Sequence, residues 1–208
     1  MKLIDGVKEM KGSPAYIPDC NRDEFPEFLK EMGYITGAEI GVYKGEYTEK
    51  LCKAGLKVYA IDPWQPYVGQ GRTQEVQDRQ DFLYGHTGRV LAPYPDCTIV
   101  RKTSMDALED FKDGSLDFVY IDGDHSFRYA AEDVFEWEKK VRRGGIVSGH
   151  DYFNTEPHAK NLVCHVEVVI DAYTKAFGIN NWFIFGTMDP EKEPRRKERF
   201  LSWMWIKP

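Results

Sequence analysis

Cysteine is scarce and scattered. Cys20, Cys52, Cys97 and Cys164 form no C-x-x-C pair, which argues against a disulfide framework or a structural zinc site. Free, partly buried thiols in a reducing compartment are the simplest expectation. No run approaches the roughly 20 apolar residues of a membrane span, and Met1 to Met10 lack the apolar centre of a signal peptide. A cytoplasmic chain without membrane contact is therefore expected. There is no long basic stripe, and the formal net charge is −6, so nucleic acid is not the expected partner. The short run Arg195-Arg196-Lys197 is flanked by Glu191, Glu193 and Glu198 and reads as a solvated loop. Repeats and low-complexity segments are also lacking. What is present suits one folded domain: 208 residues, 42% hydrophobic, with five Trp and twelve Tyr.

Residues 1–36 read as an N-terminal helical preface, irregular around Pro14 and Pro18, with Asp23 able to cap a helix over 25–32. From residue 37 strands and helices alternate to residue 208. Strands are predicted at 38–42, 57–61, 98–102, 116–121, 145–148, 182–185 and 200–206. Helices are predicted at 46–54, 104–111, 127–141 and 161–177. The last two strands lack a helix between them, which predicts an antiparallel hairpin with residues 189–199 as its loop. Such alternation implies an α/β fold: a doubly wound, mostly parallel sheet covered on both faces. Residues 62–96 break the rhythm with Pro63, Pro66, Gly69, Gly71, Pro93 and Pro95 around a polar helix over 73–84. A segment of that length inside a domain reads as a lid-like insertion.

The first strand runs into Ala38-Glu39-Ile40-Gly41-Val42-Tyr43-Lys44-Gly45-Glu46. Gly41 and Gly45 allow a tight turn and close approach to a ligand. The three-glycine pattern of a dinucleotide site is missing, and Glu39 would oppose a pyrophosphate but suit a ligand carrying an amine. The next strand ends at Asp62, well placed for ribose hydroxyls, although an Asp before Pro63 also makes an ordinary turn.

Two later strands stop at acidic residues with histidine nearby: Ile121-Asp122-Gly123-Asp124-His125-Ser126 and Gly149-His150-Asp151-Tyr152. In an open α/β sheet, chemistry collects past the carboxyl ends of the strands. Asp122, His125, His150 and Asp151 should therefore meet in one crevice, suited to a metal, a proton transfer, or both. The plainer readings are a turn at Asp122-Gly123, a helix cap from Asp124 or Ser126, and a hydrogen-bonded structural role for His150. Trp182, Trp203 and Trp205 read as core, His158 and His165 as surface or packing residues. Trp64 and His86 lie where a ligand could reach them.

Taken together, these segments resemble the class I S-adenosylmethionine-dependent methyltransferases. Ile-Asp-Gly-Asp-His-Ser and Gly-His-Asp-Tyr are similar to the macrolide-sugar O-methyltransferase and cephalosporin-biosynthesis branch. The resemblance covers about residues 35–208. It implies a Rossmann-like seven-stranded sheet ordered 3-2-1-4-5-7-6 with strand 7 antiparallel. It also implies that Glu39, Gly41 and Gly45 line the methionine part of the cofactor S-adenosylmethionine, Asp62 its ribose, and Ser104 and Met105 its adenine. Asp122 would hold Mg²⁺, and His125 would serve as the base. Asp151 and His150 would complete the metal site, although the branch has an acidic pair where this chain has His150-Asp151.

The expected activity is Mg²⁺-assisted O-methylation of a small hydroxylated molecule. A metal-independent methyltransferase acting on nitrogen and a non-catalytic cofactor-binding subunit are the alternatives. A homo-oligomer is left open.

Overall fold

The apolar runs predicted as strands all enter one sheet. They are β2 (Thr36–Ile40), β3 (Lys57–Ile61), β4 (Cys97–Val100), β5 (Leu116–Ile121), β6 (Val141–Gly149), β7 (Trp182–Thr187) and β8 (Ser202–Ile206). The computed structural model describes residues 1–66, 74–155, 163–187 and 200–208.

Among the described residues the sheet has eight strands, not the expected seven. A short strand from the preface, β1 (Ala15–Pro18), lies at one edge and gives the order β1-β7-β8-β6-β5-β2-β3-β4. The other seven keep the expected sequence, and β8 is antiparallel to both β6 and β7. β1 pairs in parallel with β7. A four-residue strand ending in proline is tolerated at an edge, where a missing N–H leaves no neighbour unpaired.

Helices cover both faces. They are α1 (Leu3–Glu9), α2 (Phe25–Glu31), α3 (Glu46–Lys53), α4 (Gln74–Leu91), α5 (Ser104–Ala107), α6 (Phe127–Lys140) and α7 (Val166–Ala176). Alternation along β5 shows how the layers form. Phe118 and Tyr120 face α1, α2 and α3, packing with Phe25, Leu29, Tyr47 and Leu51. Val119 and Ile121 face α6 and α7, packing with Ala130, Val134, Trp137 and Ile170. Burying each such side chain contributes about 1.5–3 kcal/mol. Trp182, Trp203 and Trp205 lie in the core, as expected.

Several boundaries differ from the sequence pattern. Asp23 caps nothing; Glu24 precedes α2 without a side-chain cap, and Asp23 instead pairs with Lys50 at 2.5 Å. α4 continues past Gly85 and Gly88 to Leu91, because Leu83, Thr87 and Leu91 form a buried stripe that outweighs the helix cost of glycine. α7 begins at Val166. The expected hairpin loop 189–199, His158, and residues 67–73 of the 62–96 insertion lie outside the described residues. Among the described residues, no helix is long and apolar enough to cross a membrane.

Candidate functional site

Register brings four strand ends into one row. Ile40 of β2 lies beside Ile61 of β3 and beside Ile121 of β5, which in turn lies beside Gly149 of β6. The ladder continues one step further: Gly41 N–H donates to Ile61 O, Asp122 N–H to Ile40 O, and His150 N–H to Ile121 O, at 2.9, 2.7 and 3.0 Å. Asp62, Gly41, Asp122 and His150 thus all emerge at the same edge. β2 is where the strand order reverses, the usual place for a ligand crevice in an open α/β sheet. Among the described residues, three of the four non-glycine residues with left-handed backbone, Tyr43, Trp64 and Asp151, follow these strand ends. Such conformations cost roughly 1–3 kcal/mol each and concentrate where side chains must be aimed.

The glycine turn fits tightly. Gly41 has φ +88°, and a Cβ there would lie 2.2 Å from the carbonyl oxygen of Asp122. The absence of a side chain lets the β2 and β5 loops touch. Gly45, at φ +79°, stands at the N-cap of α3, where a Cβ would press on Thr87 of α4 at 3.0 Å. Its constraint comes from helix packing.

Glu39 is buried and accepts a short hydrogen bond from the Thr48 hydroxyl. Burial drives its carboxyl well above the usual range, against that hydrogen bond. Asp62 Oδ2 accepts the N–H groups of Val42 and Tyr43, both at 3.0 Å, and Oδ1 accepts that of Trp64 at 2.7 Å. The carboxylate therefore ties the β3 end to the glycine turn. Trp64 is buried, its indole N–H on the carbonyl of Tyr43, so it braces the turn from below. His86 is half-buried on α4.

Ser104 begins α5, with Thr103 as its cap. Its hydroxyl donates a short bond to Asp133 and accepts the Trp137 indole N–H at 2.7 Å. Asp133 was missed by sequence reasoning. Burial pushes its carboxyl up to about 7, the Ser104 bond opposes this, and the charges of Asp124 and Glu132 add to it. A signal was present: Asp133 shares the i, i+3, i+4, i+7 stripe of Ala130, Val134 and Trp137, the face of α6 that packs inward. Met105 is half-buried and borders a shallow depression with Leu108, Ala131 and Phe135.

The acidic crevice assembles as its four residues suggest. His125 Nε2 lies 2.9 Å from Asp151 Oδ2 and 3.5 Å from Asp122 Oδ1. Asp151 Oδ2 is the nearer of the two, and Nε2 is shut off from solvent between them. Burial would lower the His125 pKa; the two carboxylates overcome it and hold it up at about 10. The neutral imidazole that a base near pH 7 requires is thus disfavoured while both carboxylates face it. Burial opposes the charge on Asp151, yet His125 and His150 hold its carboxyl below the usual range.

His150 Nδ1 approaches Asp151 Oδ1 at 3.3 Å and Asp122 Oδ1 at 3.9 Å. Among the described residues, ligand atoms of Asp122, His125 and Asp151 lie within 4.8 Å of one another. His150, expected beside Asp122 and Asp151 as a ligand, borders that group.

The helix that follows is capped differently from expectation. Asp124 Oδ1 accepts the Ser126 N–H at 2.9 Å, while Ser126 makes no side-chain cap. His165 Nδ1 instead accepts the Phe127 N–H at 3.2 Å. The preface adds a residue that no local pattern announces: Arg22, whose Nη1 is 3.1 Å from Asp122 Oδ2.

The family described as a methyltransferase domain matches residues 38–152, from the first strand of the row to the residue after Asp151. The chain belongs to this methyltransferase family. Similar folds include an O-methyltransferase from Bacillus cereus solved with SAH (16% identity, 93% of this chain, 84% of that one, TM-score 0.59). The O-methyltransferase TomG from Streptomyces achromogenes, solved with SAM, is 11% identical over 90% of this chain and 79% of its own, TM-score 0.60. The N-methyltransferase NodS from Bradyrhizobium japonicum WM9 is 14% identical over 90% and 94%, TM-score 0.59. A curated relative, the uncharacterized protein y4gI of Sinorhizobium fredii, is 26% identical over 125 residues, or 54% of this chain. The match spans 12% of that relative's length.

Proposed function

We propose that this methyltransferase moves the methyl group of S-adenosylmethionine onto a hydroxyl of a small molecule, assisted by a divalent cation. The observation that carries the reading is the group of Asp122, His125 and Asp151, with ligand atoms within 4.8 Å beside the glycine turn.

The residues fit both groups. Two carboxylates suit Mg²⁺, which keeps part of its water shell, and an imidazole beside them also suits Mn²⁺. For the cofactor, the turn at Gly41 allows close approach, and Asp62 offers a carboxylate at the adjoining strand end. Ser104 and Met105, on the next strand's loop, would flank the adenine. Glu39 and Gly45 would support the methionine side, Glu39 through a buried carboxyl fixed by Thr48.

When bound, the cofactor's sulfonium supplies an electrophilic methyl and leaves as a neutral thioether. A bound cation would lower the pKa of the acceptor hydroxyl and orient it. The chain's own residues must hold the acceptor oxygen in line and receive its proton. Asp122 and Asp151 would hold the cation; His125, left outside its ligand shell and freed of their charge, would receive the proton. His150 holds Asp151 from the opposite side of His125.

The test is a panel of hydroxylated small molecules with labelled S-adenosylmethionine, in Mg²⁺ and in chelator. Methylation of a hydroxyl that chelation suppresses supports the reading; equal turnover in chelator defeats the cation's part. One observation favours the metal-independent alternative: Arg22 already supplies Asp122 with a positive partner at 3.1 Å.

A further inference from the structure

Arg22 reaches the crevice from the turn before α2, far in sequence from the residues it meets. Its guanidinium is gripped on several sides. Nη1 lies 3.1 Å from Asp122 Oδ2, and Cζ stacks 4.9 Å over the Tyr47 ring. The backbone is fixed too, since the Tyr47 hydroxyl donates to Arg22 O at 3.0 Å. Tyr47 packs in turn on Tyr120, ring centroids 4.4 Å apart, two residues before Asp122 on β5. Arg22 and Asp122 side chains are 29% and 20% exposed, so solvent screens the pair only in part. Asp122 belongs to the three-residue group able to hold a cation.

We propose that Arg22 is an electrostatic gate on the cation site, setting how tightly a divalent ion binds. The inference rests on the cation site proposed above. A guanidinium and a divalent ion that share one carboxylate repel each other and divide its charge. The stack on Tyr47 gives the guanidinium a second seat, so it can withdraw from Asp122 while remaining packed. Arg22 is a positioning residue: it acts on the cation through Asp122. The preface thereby takes part in the chemistry of the crevice.

The experiment is Mn²⁺ binding, read from the loss of the free-ion paramagnetic resonance signal, on the full chain. Wild type is compared with Arg22→Gln, Arg22→Met and Arg22→Lys, each checked for folding by circular dichroism. Removing the positive charge should tighten Mn²⁺ binding about tenfold, whereas Arg22→Lys, which keeps it, should stay within about twofold of wild type. Gln and Met remove the charge in different ways, so one folded variant of the two suffices. Equal or weaker binding in the charge-free variants overturns the gate while leaving the cation site standing. No Mn²⁺ binding in any of the proteins removes the cation site and the gate with it.

Discussion

The imidazole of His125 rests 2.9 Å from the Asp151 carboxylate, joining the loops that follow two neighbouring parallel strands. Asp122 completes the contact from the β5 side at 3.5 Å. Two carboxylates and an imidazole in one partly buried spot are costly unless something positive joins them. In the protein alone His125 itself can carry that charge. If the proposed cation site is right, Asp122→Asn and Asp151→Asn should each weaken Mn²⁺ binding at least about tenfold, since each would remove one anionic ligand. S-adenosylhomocysteine binding should change little. Undiminished Mn²⁺ binding in both variants would remove the cluster from consideration as the cation site.

Asp133 should make stability depend on pH. Its folded pKa, about 7, lies above that of an unfolded aspartate. The folded chain therefore holds the extra proton, and ΔG of unfolding falls as pH rises between about 4 and 7. Asp133→Asn, neutral at every pH, should abolish that slope and be the more stable protein at pH 8 by roughly 2–4 kcal/mol. Urea unfolding of both proteins at pH 5 and pH 8 measures it. A pH-independent difference between them would contradict the buried, proton-holding carboxyl.

Gly41 should not tolerate a side chain. A Cβ would strike the Asp122 carbonyl, and φ +88° is unfavourable for alanine. Gly41→Ala should cost roughly 2–4 kcal/mol in stability and weaken S-adenosylhomocysteine binding, because the turn must move away from the β5 loop. Thermal melts and calorimetry report the two effects. Wild-type stability would mean that the loops do not meet as described.

The strand ends were legible because apolar runs that stop at Asp62, Asp122 and Asp151 mark both a strand and its chemistry. The sheet order came from the family resemblance, which the arrangement of β2 to β8 matches. β1 was not legible: four residues that follow Pro14 and end on Pro18 give too little alternation to register. Arg22 could not be found, because nothing local links it to a loop 100 residues later. Asp133 could have been, since a carboxylate within the apolar stripe of α6 breaks the helical pattern. The resemblance gives His125 as the base, but the neighbouring charges that hold its proton are a tertiary property. Asp62 shows a different limit: the same carboxylate that reads as a ribose ligand also organises the turn around it.

The most direct test of the central claim is calorimetric titration of the chain with S-adenosylhomocysteine, beside NAD as a control. Wild type should bind one S-adenosylhomocysteine per chain and NAD far more weakly. Asp62→Ala should lose at least about tenfold in affinity, as the turn loses its tie and the ribose hydroxyls would lose the acceptor proposed for them. Absence of S-adenosylhomocysteine binding by the folded wild-type chain would contradict the assignment of this crevice as a methyl-transfer site.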